Sequence, residues 1–246
     1  MTNSIEKLKR EFEKAKKLGW IESNKGNYGV IGTTFEKIVG VTPNDFQIPD
    51  FENIELKTKS GTKFKCISLF NCTPTGPHYH EVEIIKDTFG YPDSELREFK
   101  VFNGDVFCNK QNKIGFKFYF KLNILKDKEK ITLSVYNLKN NKICENTYWD
   151  FDILEEKLTR KLPYLALIDT QKKFSRGKMF FKYNSIRIYK LKGFDSFISL
   201  MEKGIIKITF KISVYKDQKR FGKIHDRGTA FSIEEKNIEK LFDLIK

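Results

Sequence analysis

Residues 49–61 read Pro49-Asp50-Phe51-Glu52-Asn53-Ile54-Glu55-Leu56-Lys57-Thr58-Lys59-Ser60-Gly61. Positions 53–59 predict a β-strand, because Ile54 and Leu56 alternate with Glu55 and Lys57, and strand side chains at i and i+2 share a face. Ile54 and Leu56 then point into a core, while Glu55 and Lys57 project together from the other face. An acid and a base on one face of a half-buried strand are costly to desolvate unless they serve something. Asp50 precedes Glu55 by five residues, near enough for the chain to bend it back beside that carboxylate. Residues 64–70 (FKCISLF) predict a second strand, joined to the first through Ser60-Gly61 as a hairpin.

Two carboxylates and a lysine so placed suit the hydrolysis of a phosphodiester. Hard oxygen ligands hold Mg²⁺, which keeps several waters and also takes a phosphate oxygen. The metal lowers the pKa of a bound water, and a nearby ammonium can hydrogen-bond that water and stabilise charge on the phosphate. The plainer alternative is a solvated Glu–Lys pair, common in a chain that is 32% charged.

Upstream, residues 4–18 place Ile5, Leu8, Phe12 and Ala15 on one helical face, with Ser4 as N-cap. A glycine-rich stretch, GNYGVIG (26–32), leads into TTFEKIVG (33–40), a helix with Thr33 and Glu36 as a capping box and Gly40 as its stop. Downstream, residues 72–112 lose periodicity and predict a long irregular region. Strands follow at 114–125 and 130–137, a helix at 150–162, a strand at 163–169 and a strand pair at 179–190. A helix at 194–203 stopped by Gly204 and a strand at 205–215 come next. A last helix opens on a Ser232/Glu235 capping box. The fold class is α+β with a mixed β-sheet, one chain folded as two lobes around a cleft.

With 246 residues and 46 Lys+Arg against 32 Asp+Glu, the chain carries a net charge of +14. Such a charge attracts polyanions, nucleic acid first among them, although 39 Lys against seven Arg also reflects a composition bias. No apolar run approaches the ~18 residues that cross a bilayer, and the N-terminus lacks a signal-peptide core. The expectation is a cytoplasmic protein. Cys66, Cys72, Cys108 and Cys144 form no CxxC pair, and His78, His80 and His225 have no zinc-finger spacing, so reduced thiols are expected.

With Asp50, Glu55 and Lys57 on its motif, the sequence resembles the PD-(D/E)xK nucleases. The glycine-rich stretch, the TTFEKIVG helix and PDFENIELKTKSG together resemble the MutH-like branch, where a Glu on the preceding helix completes the site; Glu36 occupies that place. TYWDFD (147–152), KLPYLALI (161–168), FKYNS (181–185) and GKIHDRGTAF (222–231) are similar to the MvaI/BcnI group of that branch, and the resemblance spans nearly the whole chain.

The resemblance implies a type II restriction endonuclease that cuts double-stranded DNA at a short CC-N-GG type site and leaves 5′-phosphate and 3′-hydroxyl ends. It implies a monomer with one active site, a catalytic lobe over about residues 1–140 and a DNA-recognition lobe over about 141–246 with elements returning to the core. A cognate DNA methyltransferase would protect the host. Asp50 and Glu55 become metal ligands for Mg²⁺, Lys57 the water-positioning residue and Glu36 an auxiliary acid. Lys223, His225, Asp226 and Arg227 become base readers, whose donors and acceptors suit G·C pairs. The stretch Thr73–His80 sits where His78 could reach a groove; a second metal at His78 and His80 is the sharper alternative. Two other functions compete: a MutH-like nicking enzyme that needs a partner, and a DNA-binding protein with a relic site.

Overall fold

The computed structural model describes residues 2–23, 29–41, 48–61 and 66–245. Residues 26–28 of the glycine-rich stretch and 64–65 of the expected second strand lie outside them. The elements begin with α1 (Thr2–Lys17), β1 (Ile21–Glu22), α2 (Gly29–Ile38), β2 (Ile54–Ser60), β3 (Cys66–Asn71), α3 (Glu81–Phe89), β4 (Tyr91–Pro92) and β5 (Lys100–Val106). There follow β6 (Asn112–Ile114), β7 (Phe118–Leu125), β8 (Lys130–Asn137), β9 (Lys142–Cys144), β10 (Tyr148–Asp150), α4 (Phe151–Lys161), β11 (Tyr164–Ser175) and β12 (Lys178–Leu191). The chain closes with α5 (Phe194–Glu202), β13 (Ile206–Val214), β14 (Ile224–Asp226), β15 (Ala230–Glu234), α6 (Ile238–Leu241) and β16 (Phe242–Ile245).

Contacts divide the α+β chain into two units, and the division differs from the expected boundary near residue 140. Unit 1 gathers residues 1–65, 158–192 and 239–246, and unit 2 gathers 66–157 and 193–238. Unit 1 holds a mixed sheet in the order β1-β12-β11-β2, with β16 also on β12. β2 runs parallel to β11, with Glu55 opposite Leu165 and Lys57 opposite Leu167. α1 and α2 supply Leu8, Phe12, Ala15, Ile31 and Phe35 to a core shared with Ile54, Leu56, Ala166, Phe181 and Tyr183. The helical face expected for α1 is therefore the buried one, with Ile5 at its edge, and each fully buried Leu, Ile or Phe is worth roughly 1.5–3 kcal/mol. Phe35 stands 5.2 Å from the Tyr183 ring and ties α2 to β12.

Unit 2 is β-rich. One of its sheets runs β10-β8-β7-β6 with β9 on β8, and another runs β3-β15-β13-β5-β4 with β14 on β13. Trp149, Phe102, Phe120, Phe210 and Phe231 fill its interior, and the Trp149 indole N–H donates to the Cys72 carbonyl at 3.0 Å. Cys66, Cys72, Cys108 and Cys144 are all free, as expected. No helix among the described residues is long and apolar enough to cross a membrane.

Several local expectations are corrected. β2 and β3 are not a hairpin: β2 pairs with β11, whereas β3 pairs with β15. Ile54, Glu55 and Leu56 are all buried, the condition of a strand covered on both faces, which suits a parallel partner. The region 72–112 is not irregular, because α3 and β5 occupy much of it; its prolines and glycines punctuate those elements. Residues 179–190 belong to one long strand, β12, turned back on β11 through Arg176 and Gly177, both at positive φ. Ser4 lies inside α1 and Ser232 inside β15, so neither caps a helix. Thr33 also sits inside α2, its hydroxyl donating to the Gly29 and Val30 carbonyls, so the Thr33/Glu36 capping box does not form. Gly40 does stop that helix, at φ 77°. Its N–H bonds the Lys37 carbonyl and the Val41 N–H bonds the Glu36 carbonyl, a Schellman pattern.

Candidate active site

The acidic centre is built by a tight turn leading into β2. Phe51 and Ile54 exchange backbone hydrogen bonds of 3.0 and 2.8 Å, with Glu52 at φ 53° between them. This turn brings Asp50 back to the strand, where its Oδ2 accepts the Leu56 N–H at 2.9 Å. Asp50 Oδ1 accepts no hydrogen bond among the described residues. Glu55 is 1% exposed, and its Oε1 accepts from Lys57 Nζ at 2.5 Å. The expected sharing of one face by Glu55 and Lys57 is thus met, and the acid of the pair is buried rather than solvated.

The charges act on each other. Burial pushes the Glu55 carboxyl above its ordinary value, with Lys57 pulling down, Asp50 pushing up and Lys161 pulling down. Glu36, released from the capping role, faces the same centre: burial raises its carboxyl first, then Asp50, while Lys57 lowers it. One turn before Glu36, Gly32 lets α2 lie close against Thr58 of β2. A Cβ at Gly32 would lie 3.3 Å from Thr58 Oγ1 and 3.9 Å from Glu36 Oε1.

Lys161 escaped the sequence reading. It closes α4 and brings its Nζ 3.2 Å from Glu55 Oε2. Nothing local marks it, since it meets Glu55 only through the register of β11 on β2.

The residues expected to read bases lie in unit 2. β14 pairs with β13, Ser213 facing His225 and Ile212 facing Asp226. The strand alternation splits the group between two grooves. His225 and Arg227 line a groove of about 550 Å³ with Lys211, Tyr215, Lys216 and Arg220. Asp226 lines a smaller groove of about 180 Å³ with Tyr79, His80 and Glu83. Lys223 is held by backbone bonds to Tyr215 and Arg220 and lines neither of these.

Within the larger groove the His225 ring stacks on Tyr215 at 4.0 Å and 11°, and the Arg220 guanidinium lies 3.8 Å from the same tyrosine ring. Arg220 also forks onto Asp217. Tyr215 escaped the sequence reading; the available signal was its place among basic residues in YKDQKRFGKIH (215–225). Asp226 uses Oδ1 to accept the Gly228 N–H at 2.8 Å and so shapes the turn.

His78 is exposed on a loop held from beneath. Glu81, 3% exposed, accepts the His78 N–H at 3.1 Å and the Thr147 hydroxyl at 2.7 Å. His78 and His80 gain no further ligand: among the described residues no three His, Cys, Asp or Glu side chains form a metal-holding group. Asp50 and Glu55 nevertheless fit a hard cation. Asp50 Oδ1 and the buried Glu55 Oε2 both lack hydrogen-bond donors, and Mg²⁺ needs only one or two carboxylates besides water and phosphate.

The family model for the MvaI/BcnI restriction endonuclease family matches residues 9–242. Among solved structures, the complex of restriction endonuclease MvaI with its cognate DNA substrate is similar with a TM-score of 0.91 at 28% identity. The similarity covers 100% of this chain and 98% of that one. MvaI in the absence of DNA is similar with a TM-score of 0.64 at the same identity and coverage. A comparison with curated proteins finds no match.

Proposed function

Because the chain belongs to the MvaI/BcnI restriction endonuclease family, and so is a type II site-specific deoxyribonuclease, we propose that it hydrolyses duplex DNA with Mg²⁺ at a short CC-N-GG-like site. The observation that carries the proposal is Asp50 folded back beside the buried Glu55 and its partner Lys57. Asp50 and Glu55 are the metal ligands. Mg²⁺, when bound, acidifies a water and neutralises charge on the scissile phosphate.

Lys57 hydrogen-bonds the attacking water; an ammonium has three donors, so the Glu55 contact leaves two for water and phosphate. Glu36, its carboxyl raised by burial and by Asp50, is the auxiliary acid of the centre. Water oxygen bonds to phosphorus and gives up a proton to solvent, the bond from phosphorus to the 3′-oxygen breaks, and that oxygen takes a proton from solvent. The ends are a 5′-phosphate and a 3′-hydroxyl.

Base reading belongs to unit 2, with His225 and Arg227 on one side of β14, Asp226 on the other, and Lys223 and His78 at the margins. The enzyme works as a monomer in the cytoplasm and cuts the two strands in turn, with a cognate methyltransferase as its genetic partner. Incubation with unmethylated phage DNA in Mg²⁺ or EDTA, followed by end-sequencing, tests this. Discrete Mg²⁺-dependent double-strand fragments sharing one CC-N-GG-like end are expected. Single-strand nicks alone would return the MutH-like reading, and uncut but bound DNA would return the relic binder.

A further inference from the structure

The two oxygens of Glu55 are held differently. Oε1 takes a hydrogen bond from Lys57, whereas Oε2 is buried and accepts none among the described residues. The Lys161 ammonium stands 3.2 Å from Oε2. This contact is a charge pair without hydrogen-bond geometry, so it compensates the carboxylate while leaving the lone pairs of Oε2 unused. Burying a carboxylate is costly, and Lys57 alone faces only one of its oxygens.

The placement of Lys161 follows from the chain. Pro163 cannot extend α4, which ends at Lys161, and β11 starts at Tyr164 opposite Ile54. Glu55 is therefore paired with Leu165, four residues beyond Lys161. The lysine side chain is only 18% exposed; its stem is packed and its charge directed at the carboxylate rather than spread into solvent.

Building on the assignment of Asp50 and Glu55 as metal ligands, we infer that Lys161 is a positioning residue of the metal site. It holds Glu55 by charge from the side opposite Lys57 and keeps Oε2 open to a divalent cation. A lysine that merely neutralised a buried acid would affect folding, and its removal would leave cation affinity unchanged or raise it, because its own charge repels a bound cation.

The test is direct Mn²⁺ binding to the full chain without DNA, read by the electron paramagnetic resonance of the free ion, with thermal midpoints measured alongside. Lys161→Met should bind Mn²⁺ about 10–100-fold more weakly, as loss of an outer-sphere partner does elsewhere, and Lys161→Arg should restore most of the affinity. Lys161→Gln serves if Lys161→Met does not fold. Wild-type or tighter Mn²⁺ affinity in a folded Lys161→Met or Lys161→Gln protein would overturn the inference. Asp50→Asn and Glu55→Gln separate the two readings. If both bind Mn²⁺ as the wild type does, the metal assignment itself fails; if both lose it and the Lys161 variants do not, only the role of Lys161 fails.

Discussion

The Leu56 N–H donates to Asp50 Oδ2 across 2.9 Å, so the first acid of the centre is pinned to the backbone of the strand that carries the second. Asparagine keeps an acceptor for that N–H and loses the charge; alanine loses both. Asp50→Asn should retain wild-type stability to within about 0.5 kcal/mol, while Asp50→Ala loses about 1–2 kcal/mol from the unsatisfied N–H. Both should cleave DNA at least about a thousandfold more slowly, a loss of ~4 kcal/mol in transition-state stabilisation. Urea unfolding with single-turnover cleavage separates the two effects.

Burial raises the Glu55 carboxyl despite two lysines beside it, so desolvation outweighs the ion pairs. A folded-state pKa above the unfolded one means the native protein binds the proton more tightly. The associated stability is full below the ordinary value of 4.5 and is lost as pH rises through the raised folded value. Glu55→Gln should therefore be more stable than wild type at neutral pH, with the difference closing as the buffer is taken toward 4.5. Urea midpoints across that range measure it, and equal midpoints at neutral pH would contradict it.

Gly76 has no room for a side chain: a Cβ would lie 2.3 Å from Cζ and the hydroxyl oxygen of Tyr148. The same two residues bond through their backbones, Tyr148 N–H to the Gly76 carbonyl at 3.0 Å. Gly76→Ala should cost about 1–3 kcal/mol through overpacking and displace the loop bearing His78. In a Tyr148→Ala background the added cost should fall to a few tenths of a kcal/mol, a coupling that a double-mutant cycle reads directly.

Arg220 and Arg227 line the same groove with different freedom. The Arg220 guanidinium is engaged by Asp217 and Tyr215, whereas the Arg227 side chain has no partner among the described residues, its backbone N–H alone bonding to Lys211. Arg227→Ala should relax base discrimination by about 1–3 kcal/mol at one position of the site. Arg220→Ala should weaken binding evenly across sequences. Cleavage of a library of single-base site variants distinguishes them.

The centre was legible in the sequence where its chemistry is local. Asp50, Glu55 and Lys57 lie within one turn and one strand: period-two alternation puts Glu55 and Lys57 on one face, and the short spacing lets Asp50 fold back beside them. The partner of that strand was not legible, because β11 lies more than a hundred residues on and Ser60-Gly61 offered a plausible but unused hairpin. Lys161 was invisible for the same reason. Thr33-x-x-Glu36 and Ser232-x-x-Glu235 have the spelling of capping boxes; an earlier helix start absorbed the first and a strand the second. α3 was missed because one short helix between Pro77 and Gly90 shows little periodicity beside its flanking breakers. The split of His225 and Arg227 from Asp226 required β14 to be recognised as a strand.

The most direct measurement is single-turnover cleavage of a cognate duplex by wild type, Asp50→Asn, Glu55→Gln and Lys57→Ala in Mg²⁺, with DNA affinity measured separately in Ca²⁺. All three variants should bind within about tenfold of wild type, and all should cut at least about a thousandfold more slowly, the signature of interactions made in the transition state. A variant that cuts within tenfold of wild type would remove that residue from the catalytic centre, and wild-type cutting by all three would place the chemistry elsewhere in the chain.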